Sequence, residues 1–222
     1  MTRTKNSGER GLSMIELMIV LLIIVVITGV AVPNLVHANH TSKIRGVTAD
    51  LSTLIENQRL YAIRDNRFYS IRLLTTANAP TQAYIDMFPK SGTGASGNGG
   101  TSIVAGTPGV TGDPVIELTA EVTQQAVADA PNTANLESQL LPANTVVTPT
   151  DASASPITFS PRGLPCATLS VTGGSVCDSS GGPVAFWTFF TSSSSEEWDA
   201  ITVTPAGRIQ RWYYTGSVWK NP

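Results

Sequence analysis

A run of sixteen residues without a charge, residues 17–32, constrains this chain more than any other feature of its sequence. The apolar stretch that contains it, residues 12–32, holds one charged side chain, Glu16. At about 1.5 Å per residue, a helix of that length spans roughly 31 Å, the thickness of a bilayer core. Residues 1–11 carry three basic side chains, and basic flanks stay in the cytoplasm. We therefore expect a membrane-embedded helix with the remainder of the chain outside the cytoplasm.

Glu16 separates three interpretations of this segment. A cleaved secretory signal peptide is disfavoured because the apolar run is long, contains an acid and lacks a small-residue cleavage site after it. In a plain transmembrane anchor, the Glu16 carboxylate would have no partner, and inserting it into the membrane costs roughly 2.5–3.5 kcal/mol. The third interpretation is cleavage between Gly11 and Leu12, followed by extraction from the membrane. The new α-amine then lies one helical turn from Glu16, in the turn where the helix dipole favours negative charge.

The stretch GLSMIEL, from Gly11 to Leu17, resembles the N-terminal signal of type IV prepilins and pseudopilins. Leu12 and Ser13 take the places of that family's common Phe and Thr. The resemblance implies cleavage after Gly11 by prepilin peptidase and methylation of the new amine at Leu12. It also implies that Glu16 pairs with the amine of an adjacent subunit during filament assembly.

Pro33 predicts a disturbance of this helix. A proline removes one backbone hydrogen bond and presses on the carbonyl four residues back, here that of Gly29, so we expect local melting or a kink near residues 29–33. The alternative is that the helix ends there. Further apolar residues recur at helical spacing, which predicts that the helix resumes over residues 34–65 and packs one face on a downstream domain. These residues are Ile44, Val47, Leu51, Leu54, Ile55 and Ala62.

After residue 66 the pattern changes to short β-branched or aromatic stretches between turn residues, which is typical of antiparallel sheet. Strands are expected at 68–74, 83–88, 115–119, 157–159, 167–171, 184–191 and 200–204, with a hairpin over 208–219. A long loop is expected at 91–112, and a loop with a short helix at 123–134.

The predicted fold class is therefore α+β, in which a long N-terminal helix packs on an antiparallel β head. We expect a leader at residues 1–11, a hydrophobic helix at 12–33, an amphipathic continuation at 34–65 and a globular head at 66–222. Residues 75–155 of the head are expected to form a variable insertion.

Three stretches of the head resemble the GspH/FimT family of minor pilins and pseudopilins: residues 59–67, residues 157–163 and residues 201–209. This resemblance implies a minor subunit of a type IV pilus that assembles into or caps the filament. The Val32–Pro33 pair is commoner in the pilus branch, and a minor pseudopilin of a type II secretion system is the alternative. The implied partners are other pilins or pseudopilins, prepilin peptidase, and inner-membrane lipid before assembly.

Cys166 and Cys177 are the two cysteines of the chain and lie eleven positions apart. Outside the cytoplasm a disulfide between them is expected, with a stabilisation of about 3 kcal/mol for a loop of this size. Two free buried thiols are the alternative.

No catalytic constellation, cofactor motif or metal site is predicted, so we do not expect an enzyme. His37 and His40 share a helical spacing, but no third ligand type lies near them in the sequence. Arg208 and Arg211 lie next to the aromatic residues 212–214 and predict a second alternative, DNA binding in natural transformation. Strand alternation places these two arginines on opposite faces, and the head is acidic: residues 91–199 hold ten acids and one basic residue.

Overall fold

A computed structural model of the chain describes residues 13–66, 68–74, 82–88, 115–119, 121–141, 147–153, 155–171, 174–178, 183–192 and 197–222. These residues form a mixed helix-and-sheet structure whose sheets are antiparallel apart from one short strand pair. The chain divides into two compact units, Met1–His40 and Thr41–Pro222.

Helix α1 (Met14–Asp65) has 52 residues and an acid, Glu16, in its first turn. It ends where a helix is expected to end: Arg64 lies in the last turn, where a cation complements the helix dipole, and Asn66 adopts a left-handed φ of 52°. In the first unit, the large apolar side chains from Met14 to Ile27 are 47–84% exposed. Such a surface is stable only when lipid or another protein covers it.

In the second unit, one face of α1 is buried. All six apolar positions predicted from helical spacing are in the core, each with at most 7% of its surface exposed. The helix therefore continues past Pro33, and its 41–65 part packs on sheet, because an amphipathic face must cover apolar surface elsewhere.

The first sheet consists of β1 (Phe68–Leu74), β2 (Gln82–Phe88), β3 (Val115–Glu117) and β6 (Ile157–Phe159). Its strand order is β3-β2-β1-β6. Tyr69 and Ile71 of β1 lie opposite Phe159 and Ile157, and all four join the core beneath α1.

The second sheet consists of β4 (Val122–Gln125), β5 (Thr150–Asp151), β9 (Phe186–Ser192), β10 (Trp198–Val203), β11 (Ile209–Tyr214) and β12 (Trp219–Lys220). Its strand order is β12-β11-β10-β9-β4, and β5 pairs in parallel with β9. One face packs on α1 through Phe186, Phe190, Ile201 and Val203. The other face holds Trp187, Phe189, Trp212 and Trp219, which pack with Leu136 of α2 (Thr133–Leu140).

The described residues also form a 3-10 turn at Val127–Asp129 and a hairpin of β7 (Ala167–Val171) and β8 (Gly174–Asp178). The predicted hairpin at the C-terminal end has its turn at the expected place, since Thr215 N donates to Val218 O at 3.1 Å and Gly216 has a φ of +84°. The described part of residues 75–155 supplies β2, β3, β4, β5 and α2, so the segment expected to be an insertion also contributes to the packed body.

Candidate functional site

The N-terminal signal is described from Ser13 onward. Gly11 and Leu12, the predicted cleavage and methylation positions, lie outside the described residues. Glu16 is exposed in the first turn of α1, where Leu17 N donates to Ser13 O at 3.1 Å. Among the described residues, none of the helices combines the length and the hydropathy of a membrane span. Cleavage, methylation and pairing of Glu16 with a neighbouring amine stay predictions.

The local melting expected near Pro33 is not observed, and the alternative that the helix ends there is wrong, because α1 continues to Asp65. Residues 29–33, all of them described, have helical backbone, so local melting is absent from this conformation. A proline removes a single hydrogen bond, and Gly29 leaves open space where a side chain would lie, since a Cβ there would meet nothing within 4 Å. The helix is long enough on both sides to tolerate this loss.

Cys166 is buried and disulfide-bonded. The sequence contains one other cysteine, Cys177, which the register of the β7–β8 hairpin places opposite Thr168. Cys166 directly precedes β7, and its expected partner Cys177 lies on β8 of the same hairpin. His40 belongs to α1, and no group of three or more metal-ligating side chains is present among the described residues.

The three stretches that resemble the GspH/FimT family meet at one point. Arg59 Nε, on α1, donates a hydrogen bond to Gly163 O at 2.9 Å. Gly163 and Gly207 have φ values of +71° and +78°. A Cβ added at Gly207 would lie 2.6 Å from Gly163 O and 3.1 Å from Arg59 Nε. These residues hold two turns against the helix, which is a structural role.

Arg208 and Arg211 line one cleft of about 210 Å³, together with Ser52 and Glu56 of α1. The sequence-based expectation of opposite faces was wrong, because strand alternation applies only within a strand and β11 begins at Ile209. Arg208 belongs instead to the preceding turn, in which Thr204 N donates to its carbonyl at 2.9 Å. Both side chains are exposed.

A polar group missed by the sequence analysis lies where β10 meets α1. Asp199 is 6% exposed, and Thr48 Oγ1 donates to its Oδ2 at 3.0 Å. Burial raises the pKa of Asp199 from an ordinary 3.8 to about 6, against the opposing effects of the Thr48 hydrogen bond and of Arg45. A carboxyl group in low-dielectric surroundings keeps its proton to higher pH because ionisation there is costly.

Two arginines flank Asp199. Arg211 lies opposite Ile201 and Tyr213 lies opposite Asp199 across the β10–β11 ladder, so these four residues share the sheet face that looks toward α1. Arg45 of α1 stacks over the Tyr213 ring, with its Cζ 5.2 Å from the ring centroid. These groups surround a cavity of about 290 Å³. Its lining includes Arg45, Thr48, Asp199, Arg211, Trp212 and Tyr213.

Two neighbouring polar contacts fasten the same part of α1. Thr41 Oγ1 donates to Glu197 Oε1, and Lys43 Nζ forms a salt bridge with Glu121 Oε2 at 2.7 Å. With Thr48 and Asp199, these contacts join residues 41–48 of the helix to acids from two places in the head.

A pattern in the sequence could have revealed Asp199. In the strand WDAITV, positions 199, 201 and 203 share one face, and Ile201 and Val203 are core residues. An acid on the same strand face as two apolar core residues indicates a buried carboxylate. The acidic composition of residues 91–199 alone does not distinguish Asp199 from the other nine acids. Comparisons of the chain with protein-family models, curated proteins and solved structures found no match.

Proposed function

We propose that this chain is a minor pilin-like structural subunit of a type IV pilus. It is cut by prepilin peptidase between Gly11 and Leu12, starts in the bacterial inner membrane with its head in the periplasm, and then joins or caps the filament. The observation that carries the proposal is the contrast within α1. Its 14–27 part exposes almost only large apolar side chains, whereas its 44–62 part buries one apolar face in a folded head.

That contrast implies two successive environments for the first part of the helix. An apolar surface on all sides of the 14–27 part, interrupted only by Glu16, needs lipid or other apolar helices around it. Lipid meets this need before assembly, and the helices of neighbouring subunits meet it in a filament. The head needs neither, because its own sheets cover the apolar stripe of residues 44–62.

Glu16 gives the proposal its chemistry. A carboxylate among apolar side chains is costly without a partner, and an α-amine at Leu12 of a neighbouring subunit would neutralise it. We expect Glu16→Gln to be cleaved normally but to enter filaments poorly, as measured by immunoblotting sheared filaments and membranes. Asp50→Asn removes an exposed acid from the same helix and should assemble as the wild type does. Normal incorporation of Glu16→Gln would contradict the pairing.

The same fractionation distinguishes a pilus subunit from a secretion pseudopilin. A minor pseudopilin of a type II secretion system has the same signal and helix but belongs to a secretion apparatus. Recovery in sheared surface pili supports the pilus assignment. Secretion defects without loss of pili in a deletion strain would support the pseudopilin instead.

DNA binding is a second candidate function because Arg208 and Arg211 line one cleft rather than opposite faces. Two adjacent guanidinium groups can contact successive phosphates. A mobility-shift assay on the detergent-solubilised chain should then show a salt-dependent shift that Arg208→Gln with Arg211→Gln abolishes. Arg162→Gln, which removes another exposed arginine, serves as the matched control. Retention of the shift in the double variant would exclude this function for the cleft.

A further inference from the structure

The cavity between α1, β10 and β11 combines features that structural packing alone does not require. Arg45 and Arg211 both reach it, and within the described part of the chain neither guanidinium forms a salt bridge or a hydrogen bond. Between them lies the carboxyl group of Asp199, which is buried and whose Oδ1 accepts no hydrogen bond from another described residue. Guanidinium groups at a protein surface usually pair with carboxylates, whereas these two line the cavity beside Asp199 without forming a salt bridge to it among the described residues.

We propose that this cavity binds an oxyanion group, a carboxylate or a phosphate, which Arg45 and Arg211 hold and which protonation of Asp199 admits. The proposal is independent of the proposed function in a pilus.

The guanidinium groups supply the attraction. Each presents a planar set of N–H donors that matches two oxygens of a carboxylate or phosphate. Arg45 stacks over the Tyr213 ring, so its guanidinium group is held in place before the ligand binds. A volume of about 290 Å³ accommodates a small anion or one acidic side chain of a partner.

Asp199 supplies the dependence on pH. When ionised, it competes with the ligand for the two arginines and repels it. When protonated, it no longer repels the anion, and its O–H becomes a donor to a ligand oxygen. Binding therefore takes up one proton from solvent, and the bound anion in turn favours the protonated acid. The other charged groups that act on Asp199 are Glu197, which raises its pKa, and Arg45 and Arg211, which lower it.

The change of anion affinity with pH follows from the fraction of protein in which Asp199 is protonated. With a pKa of about 6, nearly all Asp199 is protonated at about pH 5 and only about 3% at about pH 7.5. If only the protonated form binds, affinity falls up to about 30-fold between these two conditions.

The test is a calorimetric titration of the detergent-solubilised full chain at about pH 5 and about pH 7.5. Sulfate and trifluoroacetate are suitable probes because both stay fully ionised over this range, so the ligand contributes no proton linkage of its own. Sulfate represents a phosphate group and trifluoroacetate a carboxylate. The probe that binds more tightly shows whether the cavity prefers a phosphate or a carboxylate. If neither probe binds, the proposal is overturned.

Three variants sharpen the test. Asp199→Asn should bind at about pH 7.5 as tightly as the wild type does at about pH 5 and should lose the pH dependence. Arg211→Gln should weaken binding by at least about 10-fold, because half of the cationic contacts are removed. Arg162→Gln should change nothing. Equal wild-type affinity at the two pH values, or an equal loss in Arg162→Gln and Arg211→Gln, would refute the site even if Asp199→Asn fails to fold.

Discussion

The carbonyl oxygen of Gly163 lies 2.6 Å from the point that a Cβ on Gly207 would occupy. Both glycines adopt positive φ values, and Arg59 of α1 donates a hydrogen bond to that same carbonyl oxygen. Two turns from distant parts of the sequence thus touch each other and the helix through backbone atoms. Any side chain at Gly207 would have to displace backbone, which moves less readily than the end of a side chain.

Gly207→Ala is therefore expected to lower the free energy of unfolding by about 2–4 kcal/mol, because conformational strain adds to a backbone clash. Gly216→Ala is a matched control: its φ of +84° is similar, but a Cβ there would meet nothing within 4 Å. That control should lose only about 1 kcal/mol. Chemical denaturation of the two variants measures the difference. Equal losses would show that the contact with Gly163 adds nothing.

Gln58 on α1 links two strands of the first sheet. Its side chain is fully buried, and Nε2 donates to Tyr69 O of β1 at 2.6 Å and to Ile157 O of β6 at 2.9 Å. Gln58→Leu should cost about 2–3 kcal/mol of stability, because it removes both donors from buried carbonyls. Gln125→Leu removes a half-buried amide that donates to the exposed Thr123 hydroxyl at 2.9 Å, and it should change stability by less than about 1 kcal/mol. Similar unfolding midpoints for Gln58→Leu and the wild type would disprove the linkage.

The buried acid Asp199 predicts a pH dependence of stability with a definite sign. Its folded-state pKa of about 6 exceeds the ordinary 3.8, so between these values the folded chain holds a proton that the unfolded chain has lost. Stability therefore falls as pH rises from about 4 to about 6 and stays lower above that, by roughly 1–3 kcal/mol. Asp199→Asn should remove this slope and unfold at higher denaturant concentration near neutral pH. A variant that keeps the wild-type slope would show that another group titrates.

The sequence predicts the helix face well because its apolar spacing of three and four residues has no rival interpretation over residues 44–62. Ile44, Leu51 and Ile55 are almost completely buried as that spacing requires. Strand β1 is equally clear, and its observed bounds match the expected 68–74.

Other elements were hidden for physical reasons. Helix α2 has two large apolar residues, Leu136 and Leu140, and no side-chain hydrogen bond at its N-cap, so neither periodicity nor capping marks it. Strand β9 was expected at residues 184–191 and is observed at Phe186–Ser192, although helices on both faces remove the alternation of a half-exposed strand. The cavity at Asp199 brings together residues about 150 positions apart, and only the packing of α1 on β10 creates it.

The N-terminus of the mature protein decides the proposed function. If prepilin peptidase cleaves the chain as we propose, the new ammonium group lies one helical turn from Glu16 and makes this acid acceptable in its apolar surroundings. Intact-mass spectrometry of the protein purified from membranes of cells with active prepilin peptidase measures this directly. We predict a chain that begins at Leu12 and carries one methyl group on its amine; a mass that includes Met1 through Gly11 would overturn the proposed function.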